Sequence, residues 1–367
     1  MAEGTNMDPG GAGGPHDWAA RLFGGDPATE WPVAEPPALG ERNGPMAWLE
    51  YGAARGATGF LNVMPRRLRD LGVGALARFA MLVTPGRTRM ARDFVSTALP
   101  HLSPAETERQ ILQSWKHLFR LSLMSEQVGK RLLGRPLGEH FDFEICDEAR
   151  DLCGSGRACL FVTSHLGHWE IAPGIISAMG FRALYVVGKP PKNRPLSRRL
   201  QAMRELIGVR VLPRRGAMKT IPAVLRGGGH VAMVLDQRAR LKPVIAPFFG
   251  RPARCDRSAG VLIRRLGVPI VIGGCVETDE PWRFRFLMTR VIHPEDIEGA
   301  RPEEVVELLN GELEKLILRF PDQYFWLHDR YRDAPASFDE TEPREGPPPA
   351  SRATSPDSVS NQPAHGA

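Results

Sequence analysis

The stretch RACLFVTSHLGHWEIAPGIISAMG, residues 157–180, decides the fold. ACLFVTS is short, apolar and rich in β-formers, the pattern of a strand buried on both faces. IAPGIISAMG follows as a short helix closed by Gly180. Between the two stand His165, His168, Trp169 and Glu170, a concentration of polar chemistry where a strand runs out. In open α/β sheets the C-terminal ends of strands are where ligands sit.

Working outward, the alternation repeats. ALYVVG, VRVLP, HVAMVLDQ, PIVIGGCVE and RFRFLMTRVI read as strands. PLSRRLQAMRELIG, AMKTIPAVLRGG, DRSAGVLIRRLG and PEEVVELLNGELEKLILRF read as helices, most of them ended by glycine. Strands separated by helices pair in parallel. Residues 157–333 are therefore expected to form an α/β core, a layered, mixed but largely parallel sheet flanked by helices. Residues 46–130 read as helical and precede it. There Ser103, Pro104 and Glu106 make a helix start with a capping box.

The chain has 367 residues, 42% of them hydrophobic, enough for one large domain or two small ones. Residues 1–45 are dense in Gly and Pro, and residues 334–367 in Pro, Ser and acids. Both are expected to be disordered tails around a domain over 46–333. Five cysteines without a CxxC pair argue against a disulfide framework or zinc ribbon and for a reducing compartment. The N-terminus lacks the pattern of a cleaved signal peptide. No uninterrupted apolar run reaches the roughly 18–20 residues of a spanning helix. The segment around Pro65, Arg66, Arg67 and Arg69 reads either as packing helices or as an interfacial segment with arginines toward anionic lipid.

Three readings fit HLGHWE. A zinc site wants a recognisable ligand spacing, and His165, His168 and Glu170 do not supply one. Glu170 could simply favour a helix N-terminus. The third reading is an acid/base pair: His165 takes a proton from an attacking hydroxyl, while Glu170 orients the ring and supports its charge. No protein nucleophile is needed, so the reaction would be transfer to a substrate's alcohol. At the end of a second strand stand Asp236, Gln237 and Arg238. Asp236 could orient a basic residue, bond the acceptor, or cap a turn. Phe248, Phe249 and Gly250 could line an acyl slot or be plain core. From Lys189 to Arg265 there are 19 Lys and Arg against three acids, Glu205, Asp236 and Asp256, although the whole chain nets only +6. Such a field draws anions. The region lacks the patterns of nucleic-acid readers, which leaves anionic lipid, a phosphorylated glycolipid or an acidic carrier protein.

H-x4-E with Gly167 and Trp169 inside it resembles the catalytic block of the lipid A biosynthesis (late) acyltransferases, which are themselves similar to phosphatidylinositol mannoside acyltransferases. The usual form there is H-x-G-N-W-E, with His168 here in place of the Asn. YVVGKPPKNRPLSRRL, with Lys189 and Asn193, the Asp236–Gln237 pair, PFFGRPA, GVPIV, HLSPAE and YFWLHDRY resemble further blocks in the same order. The resemblance covers roughly 46–333. It implies a glycerolipid-acyltransferase-like fold and a peripheral enzyme at the cytoplasmic face of the inner membrane. It implies catalysis by His165 and Glu170, and substrate contacts by Gly167, Trp169, Lys189, Asn193, Asp236, Gln237, Arg238, Phe248, Gly250 and Arg251. The oxyanion donors would be amides at the start of the 170s helix or the Arg238 guanidinium. No metal or cofactor is implied. An acyl thioester of acyl carrier protein or coenzyme A is the co-substrate, and a membrane glycolipid or phospholipid the acceptor. Lipid A precursor, lysophospholipid, ornithine lipid and mannoside acceptors stay open, as does a non-catalytic anionic-lipid-binding protein on the same scaffold.

Overall fold

A computed structural model of the chain describes residues 17–338, apart from 25, 27, 28, 35–38 and 154. Four helices lead: α1 Pro45–Val63, α2 Arg66–Val83, α3 Pro85–Ala98 and α4 Pro104–Ser125. Short α5 Val128–Arg131 and α6 Leu137–His140 follow, then β1 Phe141–Ile145 and α7 Asp147–Leu152. The α/β core runs β2 Leu160–Thr163, α8 Ala172–Ala178, β3 Leu184–Gly188, α9 Arg194–Leu206, β4 Val209–Pro213, α10 Ala217–Arg226 and β5 His230–Val234. It continues with β6 Val244–Phe248, β7 Arg251–Cys255, α11 Ser258–Leu266, β8 Ile270–Glu277, β9 Phe284–Ile292 and α12 Pro302–Arg319.

Seven strands form one sheet in the order β1-β9-β8-β2-β5-β3-β4. β8, β2, β5, β3 and β4 are mutually parallel, β9 runs antiparallel to β8, and β1 lies parallel to β9. The expected α/β class, with a mostly parallel sheet behind a helical N-terminal region, is what forms. Period-2 alternation sorts each strand between two cores. Phe161, Ala232, Leu184 and Val271 face one cluster with α8. Leu160, Val162, Val231, Met233, Tyr185, Ile270 and Ile272 face another with α10, α11 and α12. A third cluster joins α2, α3 and α4 to the β6–β7 hairpin and to residues 324–331. The capping box forms: Ser103 Oγ accepts from Glu106 N at 3.3 Å, and Glu106 Oε2 accepts from Ser103 N at 2.8 Å.

Residues 131–156, with α6, β1 and α7, and the β6–β7 hairpin lie outside the sequence expectation. FDFEI, the edge strand β1, is exposed enough to carry acids between its apolar residues. The β6–β7 hairpin turns at Phe249 and Gly250, both at positive φ (50° and 74°), the conformation of a two-residue hairpin turn. A Phe is an unusual residue there; its amide donates to Glu314 at 2.8 Å and its ring packs against Phe248 and Trp326.

The tail expected over 1–45 is in part folded. Trp18 and Phe23 are 2% and 1% exposed and belong to the same core as α8. Phe23 stacks on Phe141 at 5.8 Å, and only a glycine at 174 leaves its ring room, since a Cβ there would sit 2.9 Å from Phe23 Cζ. Average composition hides such anchors: two aromatics suffice to hold a Gly- and Pro-rich segment by apolar burial. Residues 1–16 and 339–367 lie outside the described residues. Phe23→Ala is expected to cost about 3–5 kcal/mol of stability in urea unfolding, whereas a residue of a disordered tail would cost nothing measurable.

Candidate active site

The site is built by strand register. β2 and β5 pair in parallel with Thr163 opposite Val234. Two residues beyond each, His165 and Asp236 leave the sheet at the same level and on the same edge. Asp236 holds His165 twice: Oδ2 accepts the His165 backbone N–H at 3.0 Å, and Oδ1 accepts Nδ1–H at 2.8 Å. The Tyr324 hydroxyl faces the same carboxylate and helps to lower its pKa. Burial alone would raise the Asp236 pKa, but the imidazole beside it and these hydrogen bonds outweigh burial and hold it below the usual carboxylate range. An ionised carboxylate only accepts, so the proton sits on Nδ1 and the lone pair on Nε2. Gln237 Nε2 lies 3.3 Å from that Nε2. The His165 side chain is 22% exposed, so its reacting edge is open. Burial disfavours its charged form, yet Asp236 overcomes this and sets its pKa above the ordinary value.

The carboxylate on the imidazole is thus Asp236, where the H-x4-E spacing put Glu170. Glu170 is gripped in bidentate fashion by Arg204 of α9, Nε and Nη2 each donating at 2.9 Å. Burial opposes its ionisation, but Arg204 keeps its pKa low. Glu170 reaches His165 through its field alone, adding to the rise in the imidazole's pKa. Between them Trp169 sets its ring edge on the imidazole, 5.2 Å between centroids.

The loop carrying this chemistry is braced from β8 and from the C-terminal segment. Gly167 has φ 55°, and a Cβ there would lie 2.0 Å from the Cys275 carbonyl oxygen, so only glycine fits. Its amide donates to the Gln323 carbonyl at 3.0 Å, and its carbonyl accepts from His117 Nε2 at 2.9 Å. That leaves His117 Nδ1 3.5 Å from Glu277. The His165 carbonyl accepts from Phe325 N at 3.0 Å. His168 N donates to the Cys275 carbonyl at 2.6 Å. The His168 ring is fully buried against Phe284 and neither nitrogen has a hydrogen-bond partner among the described residues. Burial, with His117 adding to it, pushes its pKa down to about 3, so it serves as neutral filler.

The remaining candidates fall into three groups. Lys189 stands exposed just beyond β3, at the same C-terminal edge of the sheet. Arg238 pairs with Asp333, and Arg251 donates to Asp93 at 2.8 Å and stacks over Tyr331. Asn193 caps α9 through Leu196 N at 3.0 Å and bonds the Ala47 carbonyl at 2.8 Å, which occupies its amide structurally. Phe248 is fully buried beneath the Arg330 guanidinium, so of its two readings the core fits; Gly250 serves the hairpin turn. Of the two expected oxyanion donors, the Ile171 and Ala172 amides bond the His168 carbonyl and Arg238 bonds Asp333; the Gln237 amide, not among them, faces His165 Nε2. His117 and Arg204 carry no local motif, and Tyr324 opens the YFWLHDRY block without any sign there of its part at the site. Equal offsets beyond paired strand ends were the one signal that could have joined His165 to Asp236. Among the described residues, no three His, Cys, Asp or Glu side chains are grouped to hold a metal ion.

The model of the bacterial lipid A biosynthesis acyltransferases matches residues 43–333. The chain belongs to that family. It is similar to the lipid A biosynthesis palmitoleoyltransferase of Escherichia coli strain K12, 24% identical over 267 residues, covering 72% of this chain and 83% of that protein. It is equally similar, over the same shares, to the lipid A biosynthesis acyltransferase of Shigella flexneri. The chain is therefore an acyltransferase, with the partly open His165–Asp236 pair at the strand ends described above.

If neutral His165 is the reacting form, activity falls as pH drops through a pKa above about 6.5. Asp236→Asn removes the charge that raises this pKa and leaves burial unopposed. The acid limb of the pH–rate profile is expected to move to lower pH while the plateau drops. An unmoved limb would assign the titration to another group.

Proposed function

We propose that this acyltransferase moves a fatty acyl group from a thioester, on acyl carrier protein or coenzyme A, to a hydroxyl of a lipid A precursor, with His165 as general base. The observation that carries the reading is the His165–Asp236 pair, with Nδ1 protonated toward the carboxylate and Nε2 facing out beside Gln237. His165 Nε2 takes the proton of the acceptor hydroxyl as its oxygen attacks the thioester carbonyl. The tetrahedral intermediate collapses, the carbon–sulfur bond breaks, and the imidazolium returns the proton to the leaving thiolate. Asp236 fixes the tautomer and stabilises the imidazolium; Tyr324 holds Asp236 in turn. Glu170, neutralised by Arg204, positions the loop and favours the charged imidazole from a distance. Gln237 is suited to donate to the oxyanion once acceptor displaces it from Nε2.

We also propose that α1 and α2 seat the enzyme on the membrane surface. Among the described residues, no helix is long and apolar enough to cross a bilayer. Instead α1 exposes Met46, Trp48, Leu49, Phe60 and Val63, and α2 exposes Leu68, Leu71, Phe79, Leu82 and Val83, with Val63, Leu71 and Leu82 exposed by 81%, 71% and 77%. Arg66 and Arg67 accompany this apolar surface. Apolar side chains in the headgroup boundary with arginines toward anionic lipid suit an interfacial enzyme.

Purified protein assayed with acyl-thioester and lipid acceptor should lose about 10²–10⁴-fold in rate on His165→Ala. Transfer that survives this substitution overturns the mechanism. Lipid binding with no transfer by the wild type would favour a non-catalytic lipid-binding protein. In a deletion strain, lipid analysis should show lipid A species one acyl chain short. The triple variant Leu71→Ser, Phe79→Ser, Leu82→Ser should bind anionic vesicles about 10²-fold or more weakly; co-sedimentation equal to wild type would remove the interfacial role.

A further inference from the structure

Two residues past Asp236, the strand-end loop opens into a depression of about 430 Å³ walled by Arg238, Arg240, Arg254, Arg332 and Asp333. Four arginines line it with a single carboxylate, and the Arg254 guanidinium also donates to the Asp333 carbonyl at 3.4 Å. Arg238 is held from behind, its backbone N–H donating to His328 Nε2 at 3.0 Å. Arg254 is fixed through its carbonyl, which accepts from Ala239 N and Arg330 Nη1 at 2.9 Å each. Arg240 and Arg332 are exposed, and neither has a carboxylate partner among the described residues. Like charges so arranged repel one another unless an anion joins them. The one anion present is the Asp333 side chain, itself 63% exposed and paired with the much less exposed Arg238.

We propose that this cavity is a binding site for a phosphate monoester, and that Asp333 is a resident anion which the phosphate displaces. A phosphate dianion offers three acceptor oxygens, which match several planar guanidinium forks; one carboxylate neutralises only one of the four. Asp333 lies on a surface turn at φ 58° and holds Arg238 from the solvent side, so it can leave without disturbing the core. The depression is lined from Arg238, two residues along the chain from Asp236, so the loop that carries Asp236 continues into it. The chemistry has two sources: a phosphorylated sugar of the acceptor lipid, or the 3′-phosphate of a coenzyme A thioester. The choice between them rests on the acyl-transfer reading; the binding itself does not.

The test is titration calorimetry on the full chain with inorganic phosphate, glucosamine 1-phosphate, coenzyme A and dephospho-coenzyme A, at low and raised salt. Phosphate monoesters are expected to bind. Arg240→Ser with Arg332→Ser should weaken them about tenfold or more, and Asp333→Asn should tighten them several-fold. All three positions are exposed, and unchanged thermal unfolding of the variants checks that the fold is intact. Tighter binding of glucosamine 1-phosphate than of coenzyme A assigns the site to the acceptor. A preference for coenzyme A over its dephospho form assigns it to the donor. Phosphate affinity untouched by the double substitution overturns the site, and an Asp333→Asn protein no tighter than wild type overturns the displacement. A protein that binds phosphate in this way but transfers no acyl chain overturns the proposed function and leaves this site standing.

Discussion

The parallel pairing of β2 with β5 is the constraint on which the site depends. Their register places Thr163 opposite Val234, so the residues two steps beyond, His165 and Asp236, meet without any adjustment. A one-residue slip of either strand would send its side chains into the opposite core, and the close packing of the two cores resists that. The geometry of the pair is thereby secured by the same burial that holds the sheet together. The imidazole is further braced at its own backbone, through Asp236 on one side and Phe325 on the other.

Two acids near one base need not compete. Asp236 is buried and touches the imidazole, while Glu170 is held by Arg204 and acts only through its field. Without Arg204, two carboxylates would face one imidazole, and burial would drive one of them to protonate. The arginine therefore lets Glu170 stay ionised and anchors the turn that presents Trp169. His168 and His117 show the opposite treatment: one is a neutral filler with no partner among the described residues, the other a brace on the Gly167 carbonyl. Burial lowers the pKa of His168 to about 3 and of His328 to about 4, whereas Asp236 raises that of His165.

The same division of labour extends to the surface. The helices before the sheet turn apolar side chains outward, while the strand-end loop beside the base gathers guanidiniums. A lipid with a charged head and an apolar body has matching chemistry on both counts. The local excess of Lys and Arg between 189 and 265 divides unequally: Arg204, Arg199 and Arg251 are tied into ion pairs, whereas Arg240 lines the depression with no carboxylate partner among the described residues.

Local patterns alone carried much of the fold. Apolar runs with terminal glycines marked the core strands and helices, and Ser103 with Glu106 marked a helix start, because backbone sterics and capping act within a few residues. The edge strand β1, the β6–β7 hairpin and the anchoring of Trp18 and Phe23 were not legible, since each depends on a distant surface to pack against. At the site, the sequence by itself determined that a histidine and acids stand at strand ends, and that position 167 is a glycine beside them. Which acid touches the ring is set by strand pairing across the sheet. Glu170 is five residues from His165 and Asp236 is 71 away, yet chain direction through a tight loop carries the near one off to Arg204, while parallel hydrogen bonding delivers the far one to hydrogen-bond distance.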